Sequence, residues 1–286
     1  MKIGIGMPNP VPGVQGRLFV DWAKRSEEAG FSTLATIDRI AYPSYESITV
    51  LAAAAGATER IGLLTNILIG PTRNTIVLAK EAQSLYQLSG GRFTLGIAVG
   101  GREDDYQATG DTFEDRGKRF DRQLDLMRRA WRGEAIEACN SAVNPGPPLD
   151  DGVPLMIGGT SEAAIRRVVH HGVGWTAGGS PPDHLAPFVK RVRDAWKEAG
   201  REGEPRIVAL SYYSLGEGTE EASRQYLEDY YRFTGMGDKI ADWVPRSAEA
   251  VERAAQAFEG AGVDELIFDP TVADLEQVDL LAKVVL

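Results

Sequence analysis

The feature that most constrains the fold is a repeated alternation of short apolar runs with longer segments of helical periodicity. Eight such β-then-α units follow one another along the 286 residues. The predicted strands are Lys2–Met7, Phe31–Ile37, Ile61–Ile69, Phe93–Val99, Pro154–Ile157, Val173–Ala177, Ile207–Leu215 and Leu266–Asp269. Strands that alternate with long helices pair in parallel and leave the helices outside. Eight units predict a closed (β/α)8 TIM barrel, with an open doubly wound sheet as the alternative.

One stretch interrupts this alternation. Glu134–Gly152 contains three prolines and two glycines and follows an amphipathic helix predicted at Glu114–Trp131. Strand and helix alternation resumes directly after it, at the fifth predicted strand. We therefore interpret residues 134–152 as an irregular insertion within a single domain that spans residues 1–286, and not as a linker between domains.

Composition narrows the class of protein. The chain has 31 Lys and Arg against 41 Asp and Glu, a formal net charge of −10, which argues against a nucleic-acid partner because such binding depends on basic residues. No apolar run approaches the ~20 residues that span a bilayer, so we expect no membrane segment. The single cysteine, Cys139, excludes an intrachain disulfide and predicts a cytoplasmic location.

Candidate functional residues lie where the predicted strands end, because parallel barrels collect their active sites at that end. Glycine turns follow three strands, at Gly100–Gly101, Gly158–Gly159–Thr160 and Gly178–Gly179, and Asp38 follows a fourth. Glycine turns that lead into a helix can bind a phosphate through backbone N–H groups. The alternative is a turn that needs a positive φ angle and a helix cap.

Other catalytic patterns are absent from the sequence. The three histidines, of which His170 and His171 are adjacent, have no spacing typical of a metal site, and we predict no bound metal. Gly4-Ile5-Gly6 begins like a dinucleotide fingerprint, but the third glycine is missing. No Gly-x-Ser-x-Gly motif of covalent hydrolases occurs either.

Over nearly its whole length the chain resembles the luciferase-like flavin or deazaflavin oxidoreductases. The resemblance depends on Ala57–Leu63 (ATERIGL), Leu88–Gly96 (LSGGRFTLG), Pro154–Gly159 (PLMIGG) and Gly172–Trp175 (GVGW). The family has an aspartate at or beside the position of Val173, and this chain does not. The resemblance implies a TIM barrel whose mouth holds a tricyclic redox cofactor. The LSGGR segment is expected at the opposite end of the barrel, without a catalytic role.

The resemblance also implies roles for individual residues. The Asn66–Ile67 peptide bond is expected to be cis and to support the cofactor ring. Asp38 matches a catalytic position near the cofactor or substrate, with a helix-capping aspartate as the alternative. The implied cofactor-binding residues are Asn66, Ile67, Gly100, Gly101, Gly158, Gly159, Thr160, Gly178 and Gly179. Arg73 and Arg102 either complement an anionic group of the cofactor or are ordinary surface arginines.

Two chemistries remain open for such a barrel. Reduced FMN supports oxygenation of a small organic substrate, and the deazaflavin F420 supports only hydride transfer. The acidic chain favours FMN, since the anionic tail of F420 prefers a basic rim. FMN would be reduced by a separate flavin reductase, and a homodimer is expected from the family. A non-catalytic flavin-binding barrel is the third hypothesis. Glu134–Gly152 and Thr234–Arg246 are predicted lids over the mouth.

Overall fold

The computed structural model describes residues 1–286 and contains a closed parallel barrel, as predicted. The strands follow the order β3-β2-β1-β9-β8-β7-β6-β5-β4, and pairing of β3 with β5 closes the barrel. β3 and β4 are two halves of the third of eight barrel strands. The strand bounds are β1 (Lys2–Gly6), β2 (Thr33–Thr36), β3 (Gly62–Thr65), β4 (Leu68–Ile69), β5 (Phe93–Ala98), β6 (Leu155–Gly158), β7 (Gly174–Thr176), β8 (Arg206–Tyr213) and β9 (Glu265–Pro270).

Helices surround the barrel on the outside. Their bounds are α1 (Arg17–Ala29), α2 (Ser47–Ala57), α3 (Thr75–Leu88), α4 (Glu103–Thr109), α5 (Arg116–Trp131), α6 (Glu162–His171), α7 (Pro182–Glu198), α8 (Thr219–Tyr230), α9 (Gly237–Asp242), α10 (Ala248–Gly260) and α11 (Glu276–Val285). No helix is both long and apolar enough to cross a membrane. α8 and α9 are additions to the basic repeat, inserted between β8 and the helix α10 that packs beside it.

Two of the three buried clusters lie on opposite faces of the barrel strands, because strand side chains alternate between the two faces of the sheet. A small aliphatic cluster fills the barrel interior: Ala35, Leu64, Met156, Val208 and Ile267. A cluster of 51 buried residues fills the space between the strands and the surrounding helices. The inner cluster makes the barrel a packed core and not a channel, so a ligand can enter only above it, at the carboxyl ends of the strands.

The insertion at residues 134–152 lies at the opposite end of the barrel from those carboxyl ends. It connects the last turn of α5 to the first residue of β6, and both of these face away from the mouth. Gln83 near the end of α3 donates a hydrogen bond to the carbonyl of Pro147, and Leu149 donates one to that of Trp131. The prediction that Glu134–Gly152 is a lid is therefore wrong. An irregular segment at a strand's start cannot cover the strand's other end.

A close backbone approach fixes the place where the third barrel strand breaks. A Cβ atom at Gly96 would lie 1.8 Å from the carbonyl oxygen of Thr65, and the Thr65 hydroxyl donates a 2.7 Å hydrogen bond to the carbonyl of Gly96. Thr65 directly precedes Asn66, so the glycine holds β5 against the strand end that carries a predicted cofactor contact.

We predict that Gly96→Ala lowers the free energy of unfolding by about 2–3 kcal/mol, because a backbone atom cannot move aside as a flexible side chain can. Gly56→Ala is the matched control, since Gly56 is exposed in α2 and its added Cβ would meet nothing within 4 Å. That change should stabilise the protein by roughly 0.5–1 kcal/mol through helix propensity. Urea unfolding measures both. Equal effects of the two substitutions would contradict the close approach.

Candidate active site

A polar layer forms the floor of the barrel mouth, directly above the inner aliphatic cluster. Asn66, Gly158 and Asp269 each stand two positions after a member of that cluster on the same chain segment, and so face the same interior. The Thr176 hydroxyl donates a hydrogen bond to Oδ1 of Asn66 across the barrel. Nδ2 of Asn66 and both carboxyl oxygens of Asp269 are buried and have no hydrogen-bond partner. The floor therefore presents unsatisfied hydrogen-bonding groups toward the mouth.

The Asn66–Ile67 peptide bond is cis, as predicted. Asn66 is 4% exposed, whereas Ile67 is half-buried at the mouth. A Cβ atom at Gly158 would lie 3.3 Å from Cγ2 of Ile67 and 3.0 Å from Cβ of Ala98. Glycine at position 158 thus leaves room for Ile67 to lie against β6. Gly158 and Ile67, both predicted cofactor contacts, therefore form one continuous surface.

The turn after β6 resembles an anion-binding turn, because a glycine with a positive φ precedes the N-terminus of α6. Gly159 has a φ of +106°, which strongly favours glycine, and its carbonyl accepts a 2.8 Å hydrogen bond from the Trp175 indole. Thr160 is exposed, and the Ser161 side chain caps α6 by accepting a hydrogen bond from the Ala164 N–H. Only Glu162 places a negative charge in this first turn, and it is paired with Arg191.

In the other two glycine turns, the structure requires glycine at one position of each turn and not at the other. Gly100 has a φ of +69°, and its Cβ would lie 2.9 Å from Ile69, so the turn itself requires glycine. Gly178 also has a positive φ, of +61°. A Cβ at Gly101 would meet nothing within 4 Å, and one at Gly179 would make only an ordinary contact with Leu210. Their roles in cofactor binding stay predictions.

Asp38 holds the second half of the third barrel strand. Its Oδ2 accepts a 2.9 Å hydrogen bond from the Ile69 N–H, and its Oδ1 accepts one of 2.9 Å from Arg73. Burial raises the pKa of the Asp38 carboxyl, and Arg73 with the Ile69 N–H opposes that effect only in part. Asp38 does not cap α2, because Glu46 does. Its catalytic role stays a prediction, although both oxygens are already engaged within the protein.

The two arginines considered for an anionic group are also engaged. Arg73 forms ion pairs with Asp38 and Glu46, at 2.9 and 3.0 Å. The Arg102 guanidinium lies 4.4 Å from the ring centre of Tyr230 and 4.3 Å from that of Phe233, which are cation–π distances. Neither arginine is an ordinary solvated side chain. The charge of Arg73 is already paired with two carboxylates, whereas Arg102 contacts aromatic rings and is paired with no carboxylate.

Residues 219–246, which we term the lid segment, reach across the mouth. Tyr230 at the end of α8 contacts Arg102 and accepts a hydrogen bond at its carbonyl from Arg39, which follows β2. The Tyr231 hydroxyl lies 2.8 Å from that of Tyr212 on β8. The lid segment includes the predicted lid Thr234–Arg246, but its contacts with Arg39 and Arg102 come from residues before Thr234.

Asp269 is not among the site residues predicted from the sequence. It is 1% exposed, and burial raises the pKa of its carboxyl well above the usual range. A Cβ at Gly6 on the neighbouring strand would lie 1.8 Å from its Oδ1, and one at Gly4 would lie 2.4 Å from Ile267. Glycines at alternate positions of the first strand, Gly4 and Gly6, therefore mark the places where side chains of the neighbouring strand β9 lie over the backbone. This pattern is visible in the sequence.

A sequence model of the luciferase-like monooxygenase family matches residues 1–277. The chain belongs to this family. The Mycobacterium tuberculosis protein Rv0940c, described as uncharacterized, is 31% identical over 229 residues, which cover 69% of this chain and 78% of the relative.

Solved structures share the fold. Monooxygenase RslO1 from Streptomyces bottropensis superimposes with a TM-score of 0.82 at 20% identity, covering 100% of this chain and 98% of the other. An F420-dependent secondary alcohol dehydrogenase, in complex with an F420–acetone adduct, gives a TM-score of 0.79 at 17% identity, covering 99% and 98%. At such identities the similarity extends to the fold alone.

We predict that Asp38→Asn lowers the free energy of unfolding by roughly 2 kcal/mol, because the new amide would turn an N–H toward either Arg73 or the Ile69 N–H. Glu46→Gln is the control. It removes the second, more exposed ion pair of Arg73 and should cost less than about 1 kcal/mol. Urea unfolding at neutral pH measures both. Full stability of Asp38→Asn with loss of turnover would instead support the catalytic role.

Stability should depend on pH through Asp269. Its pKa is raised in the folded protein, so the folded state retains a proton that the unfolded chain releases near pH 4. Folding stability is therefore lost as the pH rises above 4. Asp269→Asn removes this loss, and its stability advantage over the native protein should grow by about 1.4 kcal/mol per pH unit until the native carboxyl ionises.

Glu265→Gln is the matched control for this experiment, because Glu265 is a buried carboxyl at the other end of the same strand. Burial would raise the pKa of Glu265, but Arg206 and the Ser32 hydroxyl lower it overall. Its stabilising contribution is thus present above pH 4 and lost in acid, so the gap between this variant and the native protein should have the opposite sign. Urea unfolding between pH 4 and 8 measures both gaps. A constant gap for Asp269→Asn would rule out a neutral Asp269.

Proposed function

We propose that the protein binds reduced FMN at the barrel mouth and uses it to oxygenate a small organic substrate. The supporting observation is the continuity of the floor with the anion-binding turn. Gly158 faces the same interior as Asn66 and lies against Ile67, and the turn Gly159–Thr160 follows it at once. A ring resting on Ile67 would therefore have the N-terminus of α6 beside it for its phosphate.

The residues at the mouth fit such a cofactor. Nδ2 of Asn66 is a buried donor without a partner in the floor beneath the proposed ring. The first N–H groups of α6 need acceptors, and a phosphate supplies them. When bound, reduced FMN supplies the electrons with which dioxygen oxygenates the substrate. The chain itself orients the ring through Ile67, holds its phosphate, and excludes water with the lid segment.

F420-dependent hydride transfer is the alternative function, suggested by the named activity of the F420-dependent dehydrogenase that shares the fold. FMN is favoured because the long anionic tail of F420 needs cations at the rim. Arg73 is already paired with two carboxylates, Asp38 and Glu46, and the chain carries a net charge of −10. The name of the monooxygenase with the higher TM-score agrees with this preference.

We further propose a separate flavin reductase as a partner, because the sequence has no nicotinamide fingerprint. We also propose that the protein forms a homodimer and that it is located in the cytoplasm. The location is suggested by a lone cysteine, Cys139, which is exposed and would be kept reduced there. Light scattering on the purified protein tests the dimer.

Titration of the purified protein with FMN, riboflavin and F420 tests which cofactor it binds. Binding is measured as the change in fluorescence of each cofactor on addition of protein. We expect FMN to bind at least tenfold more tightly than riboflavin, a difference of about 1.4 kcal/mol attributable to the phosphate. Thr160→Asp should remove this preference, since it adds a negative charge at the N-terminus of α6.

Ala248→Asp is the matched control, because it adds the same charge in the exposed first turn of α10 and away from the predicted cofactor contacts. It should leave the preference for FMN intact. Tight F420 binding without FMN binding would overturn the proposal in favour of the alternative. Binding of FMN without oxygen-dependent turnover of any substrate would support a non-catalytic flavin-binding barrel.

A further inference from the structure

The predicted cofactor contacts occupy one side of the mouth. They follow β3, β5, β6 and β7, which are consecutive neighbours around the barrel. The remaining side is built by β8, β9, β1 and β2, with the lid segment above it. A ring seated on the first side leaves the second side to the substrate. This division depends on the function proposed above.

Asp269 is the acidic group of the floor on that second side. β9 lies between β1 and β8, and the Asp269 carboxyl lies over Gly6 of β1. Its two oxygens are buried without a partner, which is costly for any polar group and more so for a charge. A group of this kind calls for a partner that the protein itself does not supply, and a polar atom of a ligand at the mouth would provide one.

The surroundings of Asp269 favour its neutral form. Burial raises the pKa of its carboxyl, and no Lys, Arg or His opposes that effect. Its titratable neighbours are tyrosines: burial raises the pKa values of Tyr213, Tyr226 and Tyr231, and the Asp269 carboxyl adds to that effect where it is charged. Tyr212 on β8 pairs with Asp269 in the sheet and is also buried. A neutral carboxyl group has one O–H donor, whereas a carboxylate has none.

We propose that Asp269 contacts the substrate and donates a hydrogen bond from its neutral carboxyl group to a carbonyl oxygen of an uncharged organic molecule. The neighbouring aromatic residues of the lid segment and β8 would hold the apolar body of that molecule. Tyr226 on α8 has a buried hydroxyl that also has no partner, and it lies within electrostatic range of Asp269. Because Tyr226 belongs to the lid segment, that segment borders the same part of the floor as Asp269.

The first experiment compares two probes of one shape on the FMN-loaded protein, cyclohexanone and methylenecyclohexane, by calorimetry. The quantity of interest is the ratio of their dissociation constants. We expect Asp269→Leu to reduce the relative preference for the ketone roughly fivefold, the worth of one neutral hydrogen bond. Asp269→Asn should retain part of the preference, because its amide N–H can still donate.

Glu265→Gln controls for the loss of a buried carboxyl elsewhere on β9, and it should leave the ratio unchanged. Asp269→Leu keeps the branching of the side chain but has larger terminal groups, so its urea midpoint is measured to establish that it folds. An unchanged probe ratio in Asp269→Leu, or in Asp269→Asn a complete loss of the preference for the ketone, would overturn the proposal.

The second experiment needs no turnover. Infrared difference spectra of the native protein against Asp269→Leu should contain the carbonyl stretch of a protonated carboxyl at neutral pH. Cyclohexanone should shift this band in the FMN-loaded protein, and methylenecyclohexane should not. A carboxylate band instead, or a protonated band that the ketone leaves unmoved, would mean that Asp269 binds only water or serves the fold.

The design separates the two hypotheses. If neither FMN nor F420 binds the native protein, the proposed function fails, although the infrared band still reports whether Asp269 is neutral. If FMN binds and the probe ratio does not respond to Asp269→Leu, the cofactor assignment stands and only the role of Asp269 is refuted.

Discussion

Closure of a parallel sheet into a barrel is the constraint on which the rest of this structure depends. Once β3 pairs with β5, every second strand residue must point into a confined interior, and its neighbours point toward the helices. The aliphatic residues around Leu64 and Ile267 fill the middle of that interior. The residues two positions further along, including Asn66 and Asp269, are thereby forced into one layer, although they are about 200 residues apart in sequence.

This polar layer lowers the stability of the barrel. A barrel optimised only for packing would place apolar side chains at the positions of Asn66 and Asp269, as it does one layer below. Here Asn66, Thr176 and Asp269 have a single hydrogen bond among them, between Thr176 and Asn66, and burial raises the pKa of the Asp269 carboxyl at a free-energy cost. The cost is tolerated because the layers beneath it are tightly packed and glycines at 6 and 96 let adjacent strands approach closely.

Much of this arrangement can be predicted from the sequence. The alternation of strands and helices predicts the barrel, and family resemblance locates the cis peptide at Asn66–Ile67, because both are signals of local sequence. Asp38 and Asp269 show what local sequence omits. Each is an acidic residue at the carboxyl end of a strand, yet Asp38 is bonded to Arg73 and the Ile69 N–H, whereas Asp269 has no partner. That difference is set by the residues that approach from distant strands, and spacing alone does not encode it.

Chain direction decides which irregular segment can lie over the mouth. For that reason residues 134–152 do not form a lid, whereas the end of α8 lies at the mouth. Proline and glycine content identifies an irregular segment, but which end of the barrel it covers follows from chain direction: a segment between a helix and the next strand lies away from the mouth. The lid segment follows β8, so it begins at the mouth. Its Tyr230 packs on Arg102, which follows β5 across the barrel. Arg102 therefore connects the β5 side of the mouth, where two cofactor contacts are predicted, to the lid segment.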